Sequence, residues 1–223
     1  MSNVLCPFVV SDGHVRFLGD HTWPAGLLAI FERARTKCAT FEKWCYGLYN
    51  KLLNYCFGGL LHFLCCSPGP SWGWHSRHCR IIRLVDTKGK PVIIVEVGDG
   101  SWAEKAELRC RADKKCRIGS PRTCSNFPML RFFCELRFSL MLEECPIPHL
   151  WGLSLLGTKM RVYCGDKASY VVAPEAVARP EPSKCLLPPG FLVGRWDLDI
   201  LSREGFEKVK EVVGDIFARV ENT

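Results

Sequence analysis

The alternation of apolar and polar positions is clearest in a few stretches, and these set the order of elements. Over residues 41–57, FEKWCYGLYNKLLNYCF, the residues Phe41, Trp44, Cys45, Leu48, Tyr49, Leu52, Leu53 and Cys56 recur at steps of three and four. That spacing makes one broad apolar stripe and predicts an amphipathic helix. Thr40 is placed to cap its start and Gly58-Gly59 to end it. LLHFLCC then predicts a short buried strand, and SPGPSWGWHSR a loop broken by Pro68, Gly69, Pro70 and Gly73. CRIIRLVD and PVIIVEVGD, joined by TKGK, predict an antiparallel hairpin. Ser101, with Glu104 three residues on, forms a capping-box pattern for a helix from Trp102 to about Arg117.

Residues 118–139 lose periodicity around Pro121 and Pro128 and predict an irregular insertion. HLWGLSLLGTKMRVYCGD restores it as two strands turning at Gly157-Thr158. Residues 173–190 are a proline-rich connector. The last segment, SREGFEKVKEVVGDIFARV, sets Phe206, Val209, Val213, Ile216 and Phe217 on one face of a C-terminal amphipathic helix. The order αβββαβ(β)α requires a mixed sheet flanked by helices, an α/β (α+β) architecture. It predicts one domain over residues 41–223, with residues 1–40 as an N-terminal extension.

Composition narrows the class. With 48% hydrophobic and 24% charged residues the chain is globular. No uncharged apolar run is long enough to cross a bilayer, and MSNVLCPFVVSDGH lacks the basic start of a signal peptide. The expectation is an intracellular protein, cytoplasmic or nuclear, with no membrane partner. The 14 cysteines fall within apolar periodic segments and contain no C-x-x-C pair, so they read as reduced, buried thiols. The densest group, Cys65, Cys66, His75, His78 and Cys79, could in principle hold a metal but matches no standard spacing.

A net charge of +7 makes an anionic partner, DNA or RNA, an open possibility. The charge is concentrated in KAELRCRADKKCR, where Lys105, Arg109, Arg111, Lys114 and Lys115 are the candidate phosphate contacts. The alternative is an ordinary solvated helix face.

Glu96 is the candidate for chemistry, a lone carboxylate among five valines and isoleucines of one strand. Alternation puts Val92, Ile94, Glu96 and Gly98 on one face. A buried carboxylate is costly unless a cation, a donor or a metal answers it. Counting back through the TKGK turn sets Asp86 opposite Pro91 and Ile81 opposite Glu96. No second carboxylate is then available there, and Arg80 becomes the candidate counter-ion.

The same residues resemble a family. An acid late in the third strand with a basic helix directly after it, in the order αβββαβ, is similar to the restriction-endonuclease-like core of the PD-(D/E)XK superfamily. YGLYNKLLNYCFG, KPVIIVEVGDGSWAEKAELRCRADKK, CPIPHLWGLSLLGTKMRVYCGD and LLPPGFLVGRWDLDILSREGFEKVKE resemble a set of largely uncharacterised fungal proteins with this type of core. The resemblance implies a metal-dependent phosphodiesterase, a nuclease, in which Mg²⁺ is held by a second-strand Asp and the Glu of E-x-K while the Lys activates water. Glu96 takes the acid's place as metal ligand, but Gly98 stands where the Lys belongs and Ile81 opposite the acid. Asp99 and Lys105 are the available substitutes in a site rebuilt around Glu96. The expectation is therefore a nuclease-fold protein with impaired catalysis, serving as a nucleic-acid-binding or interaction module. The alternatives are an active Mg²⁺-dependent endonuclease, or a scaffold with no nucleic-acid role.

GLLHFLCCSPGPSWGWHSRHCRII and IGSPRTCSNFPMLRFFCEL depart from the family pattern and read as mispredicted exon, intron or decayed sequence. Transcripts carrying both in frame would overturn that reading. No Walker, G-x-G-x-x-G or G-x-S-x-G pattern occurs. Trp102, Trp151 and Trp196 are expected in the core, His149 as a packed or surface residue, and Cys164 as a buried strand thiol.

Overall fold

A computed structural model describes residues 13–37, 42–58, 62–66, 79–86, 88–115, 140–180 and 186–220. Three helices open the chain: α1 (Gly13–Gly19), α2 (Ala25–Lys37) and α3 (Glu42–Phe57). The strands β1 (His62–Cys66), β2 (Cys79–Val85) and β3 (Pro91–Gly98) follow, then a 3₁₀ turn at Gly100–Glu104 and helix α4 (Ala106–Lys115). β4 (His149–Leu156), β5 (Lys159–Asp166), β6 (Val172–Ala173), β7 (Leu198–Asp199) and the closing helix α5 (Arg203–Val220) complete the described order.

These strands form one mixed sheet in the order β1-β2-β3-β4-β5-β6, with β7 beside β6 on the outer edge of β5. β3 and β4 are parallel, and every other neighbouring pair is antiparallel. The parallel step follows from the crossover through α4, because a parallel neighbour cannot be reached by a tight turn. The tight turns fall where glycine permits left-handed backbone: Gly89 (φ 77°) between β2 and β3, and Gly157 (φ 60°) between β4 and β5. Asp86 closes the first turn by accepting the backbone N–H groups of Lys88 and Lys90, at 3.0 and 2.7 Å.

Alternation gives the sheet two unlike faces. Ile93, Val95 and Val97 share one with Trp151, Leu153 and Leu155, their registered partners on β4. This face belongs to the main core with α3 and α5, whose Phe206, Val209, Val212, Val213, Ile216 and Phe217 are buried. The face predicted for the last helix is thus the one it buries, with Val212 added. Trp151 joins the two layers by donating from Nε1 to Asp215 of α5 at 2.9 Å. α4 and the 186–197 segment cover the other face at its β3–β5 end, around a smaller cluster of Trp102, Cys110, Leu156, Leu187, Phe191 and Trp196.

Two details of the sequence reading change. Residues 13–37, placed there in an N-terminal extension, supply Phe17, Trp23 and Phe31 to the main core. Phe17 stacks with Trp23 and meets Phe206 edge-on. Their signal is weak in the sequence because two short helices carry it. The helix expected from Trp102 begins instead at Ala106, after a 3₁₀ turn capped by Asp99, which accepts the Ser101 N–H at 2.8 Å. Asp99 takes the cap because it stands two residues before the amide it bonds, the geometry of an Asx turn. The strands expected at LLHFLCC and CRIIRLVD are present as β1 and β2. The second of the segments that depart from the family pattern lies outside the described residues.

Candidate functional site

β3 delivers Glu96 to the face covered by α4, and it is 1% exposed. Its registered neighbours are Ile81 on β2 and Ser154 on β4. The sequence count therefore gives the right pairing at Glu96, although a bulge between Leu84 and Val85 shifts the register near the turn, setting Val85 opposite Pro91. Arg80 pairs with Val97, one position along. The side chain of Arg80, the counter-ion the sequence proposes, lies outside the described residues.

Among the described side chains, a cation on Glu96's face lies two strands away. Arg161 of β5 is registered with Ser154, and Tyr163 with Gly152, so all of these positions share one face. Arg161 is 5% exposed. Its Nη1 lies 2.9 Å from Asp113 Oδ1 of α4, close enough for an ion pair but not aligned as a hydrogen bond. The Tyr163 hydroxyl donates to that same oxygen at 2.9 Å. The guanidinium also lies over the Tyr163 and Trp196 rings, 5.2 and 5.4 Å from their centroids. Trp196 in turn donates from Nε1 to the Ser154 hydroxyl at 3.2 Å. A polar layer of Ser154, Arg161, Tyr163, Asp113 and Trp196 thus lies beside Glu96, between sheet and helix. Each member is at least largely buried.

α4 carries this layer because Ala106, Arg109, Cys110 and Asp113 recur at helical steps and turn inward together. Arg109 fastens it. At 2% exposure, its Nε donates to Phe191 O at 2.9 Å, Nη1 to Ala103 O at 2.6 Å and Nη2 to Pro189 O. Glu107 adds a bond from the Leu187 N–H at 3.1 Å. These contacts hold the 186–191 segment across the helix.

The remaining candidates fall in different places. Asp99 is the cap of the 3₁₀ turn. Lys105 and Lys114 are exposed, and Arg111 lies over the Trp102 ring at 5.9 Å from its centroid. The Lys115 side chain lies outside the described residues, as do those of the Cys65, Cys66, His75, His78 and Cys79 group. Among the described side chains, the basic surface at α4 is therefore Lys105, Arg111 and Lys114, interleaved with the exposed Glu104 and Glu107.

Position 98 is tight: a Cβ on Gly98 would stand 3.0 Å from Leu156 Cδ2, which would have to give by a few tenths of an ångström, and in ordinary contact with Trp102 Cε3 at 3.4 Å. Among the described residues no three His, Cys, Asp or Glu side chains gather as metal ligands would. His149 is partly exposed, its Nε2 3.4 Å from Asp166 Oδ2. Cys164 is half-buried, and burial, followed by the nearby Asp215 and Asp166 carboxylates, pushes its thiol up. It is thus poorly suited as a nucleophile at neutral pH.

Arg161 and Asp113 escaped the sequence reading, whereas Trp196 is in the core as expected. The signal for Arg161 was present in part, a charged residue at an inward position of an alternating strand, as with Glu96. Compared with protein-family models, curated proteins and solved structures, the chain matches none.

Proposed function

We propose that this is a restriction-endonuclease-like protein in which the position of the metal site has become a packed polar core, and that it acts by holding a partner rather than by cutting nucleic acid. The fold reading takes its support from the αβββαβ order, in which the β2–β3 hairpin leads through α4 to a β4 parallel to β3. The observation that carries the functional reading is the closure around Glu96: the residue is 1% exposed, and a side chain at position 98 would crowd Leu156. Mg²⁺ takes a near-octahedral shell of oxygens and keeps several waters. The residues here do not fit that shell. Ile81 stands opposite Glu96, Asp113 is committed to Arg161 and Tyr163, and Asp99 to the Ser101 amide.

The test is incubation of the purified protein with single- and double-stranded DNA and RNA, in Mg²⁺ or Mn²⁺ and in EDTA, beside a Glu96→Gln variant. The expected result is no metal-dependent cleavage by either protein. Cleavage that requires metal and disappears in Glu96→Gln would overturn the reading. Nucleic acid as the partner is a second reading, favoured by the exposed Lys105 and Lys114 with Arg111 between them. It predicts binding that weakens steeply with salt, as phosphate contacts do.

A further inference from the structure

A cavity of about 480 Å³ lies where β5 meets the start of α5 and the residues that lead into β7. Its wall includes Val162 of β5, Leu198 of β7, Arg195 and Asp197 just before that strand, and Glu204 and Lys208 of α5. The volume is in the range of small-ligand sites. Its chemistry is mixed, because charges of both signs and apolar side chains share one wall.

Most of those charges are already answered. Lys208 is paired with Glu211 at 2.7 Å, and Glu204 has its carboxyl held below the usual range by its own amide and the Ser202 hydroxyl. Arg161, also on the wall, lies 2.9 Å from Asp113. Arg195 and Asp197 are different. Both are exposed, and neither enters an ion pair among the described residues, with the other or with a third group. Their footing is firm, however. Trp196 between them is 6% exposed and donates from Nε1 to Ser154 at 3.2 Å, which ties the backbone carrying both charges to the sheet. One cation and one anion are thus held at one cavity without neutralising each other.

We propose that this cavity binds a small zwitterion with an apolar body, the chemistry of a free α-amino acid or a dipeptide, with its carboxylate on Arg195 and its ammonium on Asp197. The planar fork of an arginine matches a carboxylate, and an aspartate accepts from an ammonium. Val162, Leu198 and Pro174 supply apolar wall for the body of the ligand. The same lining disfavours other classes. A polyanion such as a nucleotide would meet Asp197 and Glu204, and a polycation would meet Arg195 and Lys208. The proposal does not rest on how Glu96 is read.

The experiment follows backbone amide shifts of the ¹⁵N-labelled full chain during titration with L-leucine and with L-leucyl-L-leucine, each beside its N-acetylated and its C-amidated form. At least one of the two zwitterions is expected to move the Gly194 and Asp197 amides saturably, and the tighter of them distinguishes amino acid from dipeptide. Blocking either end of that ligand should weaken it about fivefold, the size of an exposed ion pair. Arg195→Gln should abolish the penalty for amidation and Asp197→Asn the penalty for acetylation, both being exposed changes that leave the buried Trp196 in place. Unmoved Gly194 and Asp197 amides, shifts that saturate elsewhere, or blocked forms that bind the unaltered chain as well as the zwitterion would overturn the proposal.

Discussion

The two faces of the sheet are built on different rules. On the α3 and α5 side, Phe206, Val209, Val213 and Ile216 pack on Val95 and Leu153 in a core that excludes polar side chains by volume. On the α4 side, Ser154, Arg161 and Asp113 are as deeply buried but are held by pairing. An apolar face tolerates exchange of similar shapes, whereas a paired charge tolerates no change in one partner alone. The α4 face should therefore be the less forgiving, although its apolar cluster is the smaller.

The largest effect is expected there. Asp113→Ala leaves Arg161 buried without its carboxylate and should cost about 3–5 kcal/mol, read from urea unfolding. Replacing both partners, as in Arg161→Met with Asp113→Leu, should cost clearly less than the sum of the single changes, because no charge is left stranded. A single change that is nearly neutral would break the comparison. On the opposite face, Phe206→Leu keeps most of the buried volume and should cost about 1.5 kcal/mol or less, against about 3–5 kcal/mol for Phe206→Ala. If Phe206→Leu were as damaging as Asp113→Ala, the distinction between shape and pairing would fail.

Smaller effects sharpen the same contrast. Trp196→Phe keeps the ring over Arg161 but removes the donor to Ser154, at a cost of about 0.5–1.5 kcal/mol. The main core has a titration of its own in Cys145, whose thiol is pushed up to about 11, mainly by burial. The fold thus favours the protonated thiol. Its contribution to stability is intact below the ordinary thiol value of 9.0 and is lost as pH rises toward about 11. Urea midpoints for the unaltered chain and Cys145→Ala should differ at neutral pH and converge over that interval. Parallel curves would contradict the assignment.

Elements whose pattern is local were legible in the sequence. The stripe of α3, the face of α5, the β2–β3 hairpin and the β4–β5 turn all follow from spacing within one segment. Even the pairing of Ile81 with Glu96 could be counted through a short turn, because the bulge at Leu84/Val85 compensates for a starting point one residue off. Features joining distant segments were not legible. Asp113 meets Arg161 across the α4 crossover, and Arg109 reaches Phe191 across β4 and β5. Nothing local to α4 tells an inward arginine from an outward one, since phosphate contact and carbonyl capping use the same guanidinium.

The central claim is that Glu96 lies in a packed core and not in a metal centre. Titration calorimetry with Mn²⁺, on the unaltered chain and on Glu96→Gln, tests it most directly. The account predicts no saturable Mn²⁺ binding that depends on Glu96, with the same baseline heats for both proteins. Stoichiometric binding to the unaltered chain that is lost in a folded Glu96→Gln variant would contradict it.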